Sequence, residues 1–157
     1  MESLRGRQLQ VITKIVDYEV PPKGSHQGVW HVEGMSHEHI VATCELICRK
    51  DLQLSGGGLQ FRRGFRSAEG GALIMGMPQD RSEQLDGLVE KGLVPLGQLP
   101  LPQGRLAAWP NSHIHCVQEL ANGSESMALR RIVVLLGAAF SFKVFKPVSS
   151  YIHKYII

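Results

Sequence analysis

The sequence has little of what would mark it as a membrane, secreted or disordered protein. Its longest apolar run, Ile132 to Phe142, is broken by Gly137 and Ser141 and falls short of the roughly 18 to 20 residues that cross a bilayer, so no membrane partner is expected. The N-terminal MESLRGRQLQ has neither an apolar h-region nor a small-residue cleavage site, and does not read as a secretory signal. There are only three cysteines, Cys44, Cys48 and Cys116, an odd number that suits reduced thiols better than a disulfide framework. The expected compartment is therefore cytoplasmic, with the nucleus as the alternative. Charge of one sign is also scarce: 17 Lys+Arg stand against 14 Asp+Glu, a net charge of +3, and the basic residues are scattered. No continuous stripe suggests nucleic acid as a partner. The glycine-rich LSGGGLQ lacks the Gly-Lys-Ser/Thr ending of a phosphate loop.

What remains is the composition of a folding globular chain, 43% hydrophobic and 20% charged. A length of 157 residues allows one ordinary domain and is short for two. Leu9 to Val20, LQVITKIVDYEV, is rich in β-branched residues and closed by Pro21-Pro22, which cannot donate to a ladder, and reads as a strand. GVWHVEG reads as a second strand, HEHIVATCELIC as a third, and LSGGGLQFRRGF as a glycine turn followed by a short strand. Residues 66–101 read as a variable insert, with a short helix near Asp80 to Glu90 and then extended pieces separated by turns. GRLAAWPN ends a strand at Pro110-Asn111, SHIHCVQEL supplies a strand or turn, and RRIVVLLGAAF is a near-continuous apolar strand fit for the interior of a sandwich or barrel. The fold class expected is mainly β.

The chemistry concentrates in GVWHVEG. In a strand, Val29, His31 and Glu33 share one face, so an imidazole and a carboxylate present themselves to one metal ion. A third imidazole from a distant strand completes a two-histidine-one-carboxylate facial triad, the arrangement that holds non-haem Fe(II) with positions left open. His115 is the best candidate, placed between the GRLAAWPN strand and an arginine-bearing strand. His113 has the same strand parity and competes with it, whereas His26 lies in a Pro/Gly loop and His153 near the end of the chain. Arg130 and Arg131 open the last apolar strand, where a guanidinium grips a carboxylate bidentately while a metal takes the other end of the same small dianion. A 2-oxo acid cosubstrate would be held in that way. The competing reading makes His31 a half-buried strand histidine satisfied by backbone hydrogen bonds, and the arginines a solvated strand start.

The segments GVWHVEGMSHEHIVAT, LQFR, GRLAAWPNSHIHCV and LRRIVVLL resemble, in order, the motifs of a eukaryotic, mostly fungal family of uncharacterised proteins. That family carries a domain of unknown function and is similar to the Fe(II)- and 2-oxoglutarate-dependent dioxygenases. The resemblance spans most of residues 9–136. Its later motif, an aromatic residue, Pro-Asn and a histidine after three intervening residues, falls on Trp109, Pro110, Asn111 and His115, which favours His115 over His113. It implies a double-stranded β-helix, a jelly roll or cupin-like fold, over residues 9–142, as a partial copy of a longer family protein, with 143–157 a divergent C-terminal tail. It implies a metal site of His31, Glu33 and His115 for Fe(II), 2-oxoglutarate as cosubstrate, and Arg130 or Arg131 as its anchor, Arg130 being preferred. The expected activity is oxidation of an unknown substrate with conversion of 2-oxoglutarate to succinate.

Three alternatives stand beside this reading. One is a catalytically inactive β-sandwich fragment acting as a structural or interaction module. Another is a cupin-like metal enzyme that needs no 2-oxoglutarate. The third is a zinc site from His37, His39, Cys44 and Cys48, which their spacing does not favour. Glu38 with His39 reads either as a pair orienting the metal site from behind or as a surface pair.

Overall fold

A computed structural model describes residues 9–65, 92–139 and 151–156. The fold is mainly β, as the strand signals imply. β1 (Leu9–Val20) pairs antiparallel with β10 (Ala128–Ala139), which pairs antiparallel with β3 (Ile40–Lys50), which pairs antiparallel with β7 (Leu106–Pro110). β11 (Tyr151–Ile156) joins the free side of β1 in parallel, giving a five-stranded sheet of order β11-β1-β10-β3-β7. Six residues of the segment read as a divergent tail thus form an edge strand of this sheet.

Two smaller sheets complete the described structure. One holds β2 (Ser25–His26), β9 (Leu120–Asn122) and β4 (Leu54–Gly56), and the other β6 (Leu93–Leu99), β5 (Leu59–Gly64) and β8 (Ile114–Val117). The extended pieces expected between the prolines near residue 95 are β6, laid along β5. The helix expected near Asp80 to Glu90 falls outside the described residues. Among those described, the one helical turn is a 3-10 turn at Ser36–Glu38, and no helix is long and apolar enough to cross a membrane.

The run RRIVVLLGAAF becomes the centre of the large sheet, and its period-2 geometry sorts it into two faces. Arg130, Ile132, Val134, Leu136 and Ala138 are buried, while Arg131 and Leu135 are exposed. Ile132, Val134 and Leu136 pack with Val16 from β1, Ile47 from β3 and Trp109 from β7, and with Leu59 and Val117 from the β6-β5-β8 sheet. This core lies between the large sheet and the β6-β5-β8 sheet, and a second cluster, Val20, Leu54, Leu120 and Ala128, joins the large sheet to the β2-β9-β4 sheet.

GVWHVEG does not form the expected strand. Among its residues, only His31 makes a bridge, to His115 of β8. Gly28 donates to the carbonyl of Val117 and His31 to that of His115, so three steps along this segment oppose two along β8. The extra residue breaks the ladder as a bulge does. Gly28 is required at the close approach: a Cβ there would lie 2.7 Å from the Val117 nitrogen.

At the opposite end, Asn122 is a buried hub joining three chain segments. Its amide donates to the carbonyls of Val20, Pro21 and Ser126 at 2.8–3.0 Å, and its oxygen accepts from the Ser124 N–H at 2.9 Å. Asn122→Ala would strand these groups and should lower stability by about 2–3 kcal/mol, on the scale of leaving buried polar groups unsatisfied. Chemical denaturation at equilibrium checks this, and a loss below about 0.5 kcal/mol, the range of neutral surface changes, would contradict it.

Candidate metal centre

Two chain segments bring three side chains together. His31 is carried by the bulged segment, Glu33 stands two residues on, and His115 comes from β8. Their candidate ligand atoms all lie within 4.8 Å of one another, the one such group among the described residues. The His31 Nε2 is 3.4 Å and the His115 Nε2 is 3.7 Å from the same Glu33 Oε1, and the two imidazole centroids are 4.4 Å apart. His31 and Glu33 thus meet as expected, but the backbone reason differs. Bridging to β8 fixes His31, and a turn through Gly34, at φ 73°, follows Glu33.

One feature fits the set to a metal, and another does not, since His115 lacks, among the described residues, the outer acceptor that usually orients a metal-bound histidine. His31 Nδ1 lies 2.9 Å from the Val29 carbonyl, so the proton belongs on Nδ1 and the Nε2 lone pair faces the cluster, the tautomer that a metal-binding histidine needs. His115 is buried between Trp109 and Phe61, with ring centroids 5.0 and 6.2 Å away. Its Nδ1 has no hydrogen-bond partner among the described residues.

The carboxylate is held in its charged form. Burial opposes ionisation of Glu33, but its contacts with His115 and His31, together with Lys14 at 3.7 Å, outweigh that and hold its carboxyl far below the usual carboxylate range. The same contact with Glu33 raises the His31 pKa above that of a free imidazole, against partial burial and Lys14. The metal-free cluster therefore holds an ionised carboxylate beside Lys14 and a His31 that favours its proton, and a metal binding at His31 Nε2 displaces that proton.

The cluster opens on a cavity of about 200 Å³ walled by Lys14, Tyr18 and Glu45 from the large sheet. This is below the roughly 300–1,000 Å³ of sites for drug-sized ligands, and suits a small molecule. Arg130 is fully buried, and its Nη2 donates to Glu45 Oε1 at 3.0 Å. Its Nε and Nη1 have no hydrogen-bond partner among the described residues. Arg130 does not itself reach the cavity wall, but Tyr18 and Glu45, which contact it, do. Burial raises the Glu45 pKa despite the opposing effect of Arg130.

Arg131 faces the other way. It grips Asp17 with two hydrogen bonds of 2.7 Å, and half its side chain is exposed. Of the two arginines, Arg130 therefore shares the inner face with the cavity. His113 lies in the turn after β7, outside the cluster. His37, His39, Cys44 and Cys48 form no group of ligand spacing. The Glu38 carboxylate instead accepts from the Met35 N–H at 2.6 Å, closing the loop that follows Glu33.

The family model for "Protein of unknown function (DUF4246)" matches residues 1–136. The chain belongs to this family. No curated protein matches the sequence. Membership agrees with the expected domain of unknown function and assigns no activity.

Sequence reading missed three contributors. Lys14 and Glu45 are ordinary strand residues until register places them on the cavity wall. Asn111, noted only as part of a motif, binds the Glu33 backbone through its side chain.

The pairing of His31 with Glu33 sets a pH signature. In the metal-free protein His31 should hold its proton above the usual value of about 6.5, and Glu33→Gln should bring its titration down. The stability lent by this pair is full below about 6.5 and is lost as pH rises through the raised His31 pKa. The stability gap between wild type and Glu33→Gln should accordingly be larger at pH 5.5 than at pH 8.5. Histidine-ring NMR titration and denaturation at the two pH values check both, and an unshifted His31 titration would contradict the assignment.

Proposed function

We propose that the protein is an oxidoreductase of the Fe(II)- and 2-oxoglutarate-dependent dioxygenase type, on a jelly-roll, double-stranded β-helix scaffold, acting on an unknown substrate. The observation that carries this reading is the convergence of His31, Glu33 and His115 at the mouth of a small cavity. Two neutral imidazoles and one carboxylate suit Fe(II) and leave coordination positions for other ligands. A small sheet facing the large one, with His115 on it and His31 bridged to its edge, supports the scaffold assignment.

When bound, such a metal and cosubstrate supply oxidation by dioxygen coupled to loss of carbon dioxide from the 2-oxo acid. The chain's own part is binding and orientation. His31 would offer Nε2, fixed by the Val29 carbonyl, and Glu33 would offer its ionised carboxylate. Arg130 would serve the far carboxylate because its Nε and Nη1 are buried donors without a partner among the described residues, a costly state that an anion relieves. An anion in the cavity meets it only if Tyr18 or Glu45, which stand between them, gives way. Lys14 adds positive charge on the same inner face. Glu45 must then give up its charge or its place, since a second anion beside an ionised Glu45 is repelled; its raised pKa makes the neutral, hydrogen-bonding form accessible.

The pairing of Glu45 with Arg130 favours one rival, a cupin-like metal enzyme without 2-oxoglutarate, because the anchor already has a counter-ion. One set of variants separates the two. Anaerobic Fe(II) titration should show one tight site in wild type, weakened in His31→Ala and His115→Ala beyond the roughly 10–100-fold typical of losing an outer partner. Equal uptake by wild type and variants would overturn the metal site. The Arg130→Ala/Glu45→Gln double variant, which avoids stranding a buried carboxylate, should bind metal but lose 2-oxoglutarate binding in calorimetry, and Arg131→Ala should keep both. Unchanged 2-oxoglutarate binding in the double variant would remove that cosubstrate and leave the metal.

A further inference from the structure

Glu33 occupies irregular backbone, yet a metal ligand needs a fixed main chain. Neither its N–H nor its C=O belongs to a ladder, and both are met by one side chain. The Glu33 N–H donates to Asn111 Oδ1 at 3.0 Å, and Asn111 Nδ2 donates to the Glu33 carbonyl at 2.7 Å. A carboxamide presents one acceptor and one donor in the same relation as a neighbouring peptide group, so Asn111 substitutes for a strand that the bulged segment lacks.

We propose that Asn111 is a positioning residue of the metal centre, setting where the Glu33 carboxylate stands relative to His31 and His115. The inference rests on the metal-site reading above. Asn111 is itself fixed from several sides. Its second amide hydrogen goes to the Ile40 carbonyl at 3.2 Å, its oxygen faces the Thr43 hydroxyl at 3.4 Å, and its backbone N–H donates to the Val41 carbonyl at 3.0 Å. Both donors and both acceptor directions of the side chain are thereby engaged. The residue ties the start of β3 and the end of β7 to the ligand segment, and no other residue type serves. Aspartate would set an oxygen against the two carbonyls, and glutamine would overshoot by one methylene.

Holding a ligand and merely closing a loop are separable, because Asn122 ties chain segments in the same manner through contacts that include none of the ligand set. Asn111→Ala and Asn122→Ala should both lose stability. Asn111→Ala alone should weaken binding of Co(II), the probe metal, by about 10–100-fold, as loss of an outer partner does. It should also change the visible absorption of the bound Co(II), which reports ligand geometry. Asn111→Asp, which keeps volume and the acceptor but removes the donors, should do likewise and serves if Asn111→Ala does not fold. If wild type takes up no Co(II), the metal-site reading falls and this inference with it. If wild type binds and the Asn111 variants match it in affinity and spectrum, the site stands and the positioning role is overturned. A loss of affinity and a spectral change of the same size in Asn122→Ala would also overturn it.

Discussion

Two hydrogen bonds, exchanged between the backbones of His31 and His115 at 2.9 Å each, hold the candidate site together. The segment from Gly28 to Gly34 has no ladder of its own, and buried backbone polar groups must find partners somewhere. The exchange with β8 meets those of His31. It also divides the neighbouring side chains: His31 turns toward His115, while Trp30 turns out and carries the Arg62 guanidinium 3.8 Å above its ring. That stack, worth about 0.5–1 kcal/mol at an exposed site, clamps the segment to β5 from the outside. Gly28 permits the approach, Asn111 takes over where the bridge ends, and Glu38 closes the return.

The large sheet supplies the other half through register alone. Tyr18 lies opposite Arg130 and Lys14 opposite Val134, while Val134 faces Glu45 across the next pair. With side chains alternating between faces, these pairings place Lys14, Tyr18, Glu45 and Arg130 on one inner surface. A one-residue slip would send them all outward and bring Asp17 and Arg131 in. The β-bulge between Arg131 and Ile132 lets β3 pair with Arg130 and still keep Glu45 and Ile47 inward.

How far the sequence was legible follows from these same mechanics. The strands at residues 9–20, 40–50 and 128–139 carry β-branched residues in runs long enough to show, and they are strands as read, though their pairing into one sheet was not legible. The clustering of His31 with Glu33 was legible from their types and spacing, and that of His115 with them from the motif that follows Trp109. The bulge that seats them was not, because one extra residue leaves no mark in a short polar and aromatic segment. Arg130 and Arg131 were indistinguishable, since period-2 alternation fixes faces only once a neighbouring strand fixes register. The Asn111 contacts join residues 71 to 78 positions apart in the chain, and no local pattern announces a side chain that stands in for a strand.

The interior charges bear on which reading deserves weight. A sandwich needs only an apolar inner face, and replacing a buried ion pair by packed apolar residues is often neutral or stabilising by about 1–4 kcal/mol. Here the largest fully buried side chain among the described residues is an arginine with one carboxylate partner and two nitrogens that find no partner among them. Nearby lie an ionised glutamate, a second buried glutamate and a lysine, all bordering one cavity. A module kept only for its surface gains nothing from this arrangement and bears its desolvation cost. A site that must hold a divalent cation at one place and an anion at another requires such groups, fixed in advance and shielded from water. The inner face thus favours a ligand-binding function over a purely structural one, on grounds independent of the motif that first drew attention to His31 and Glu33.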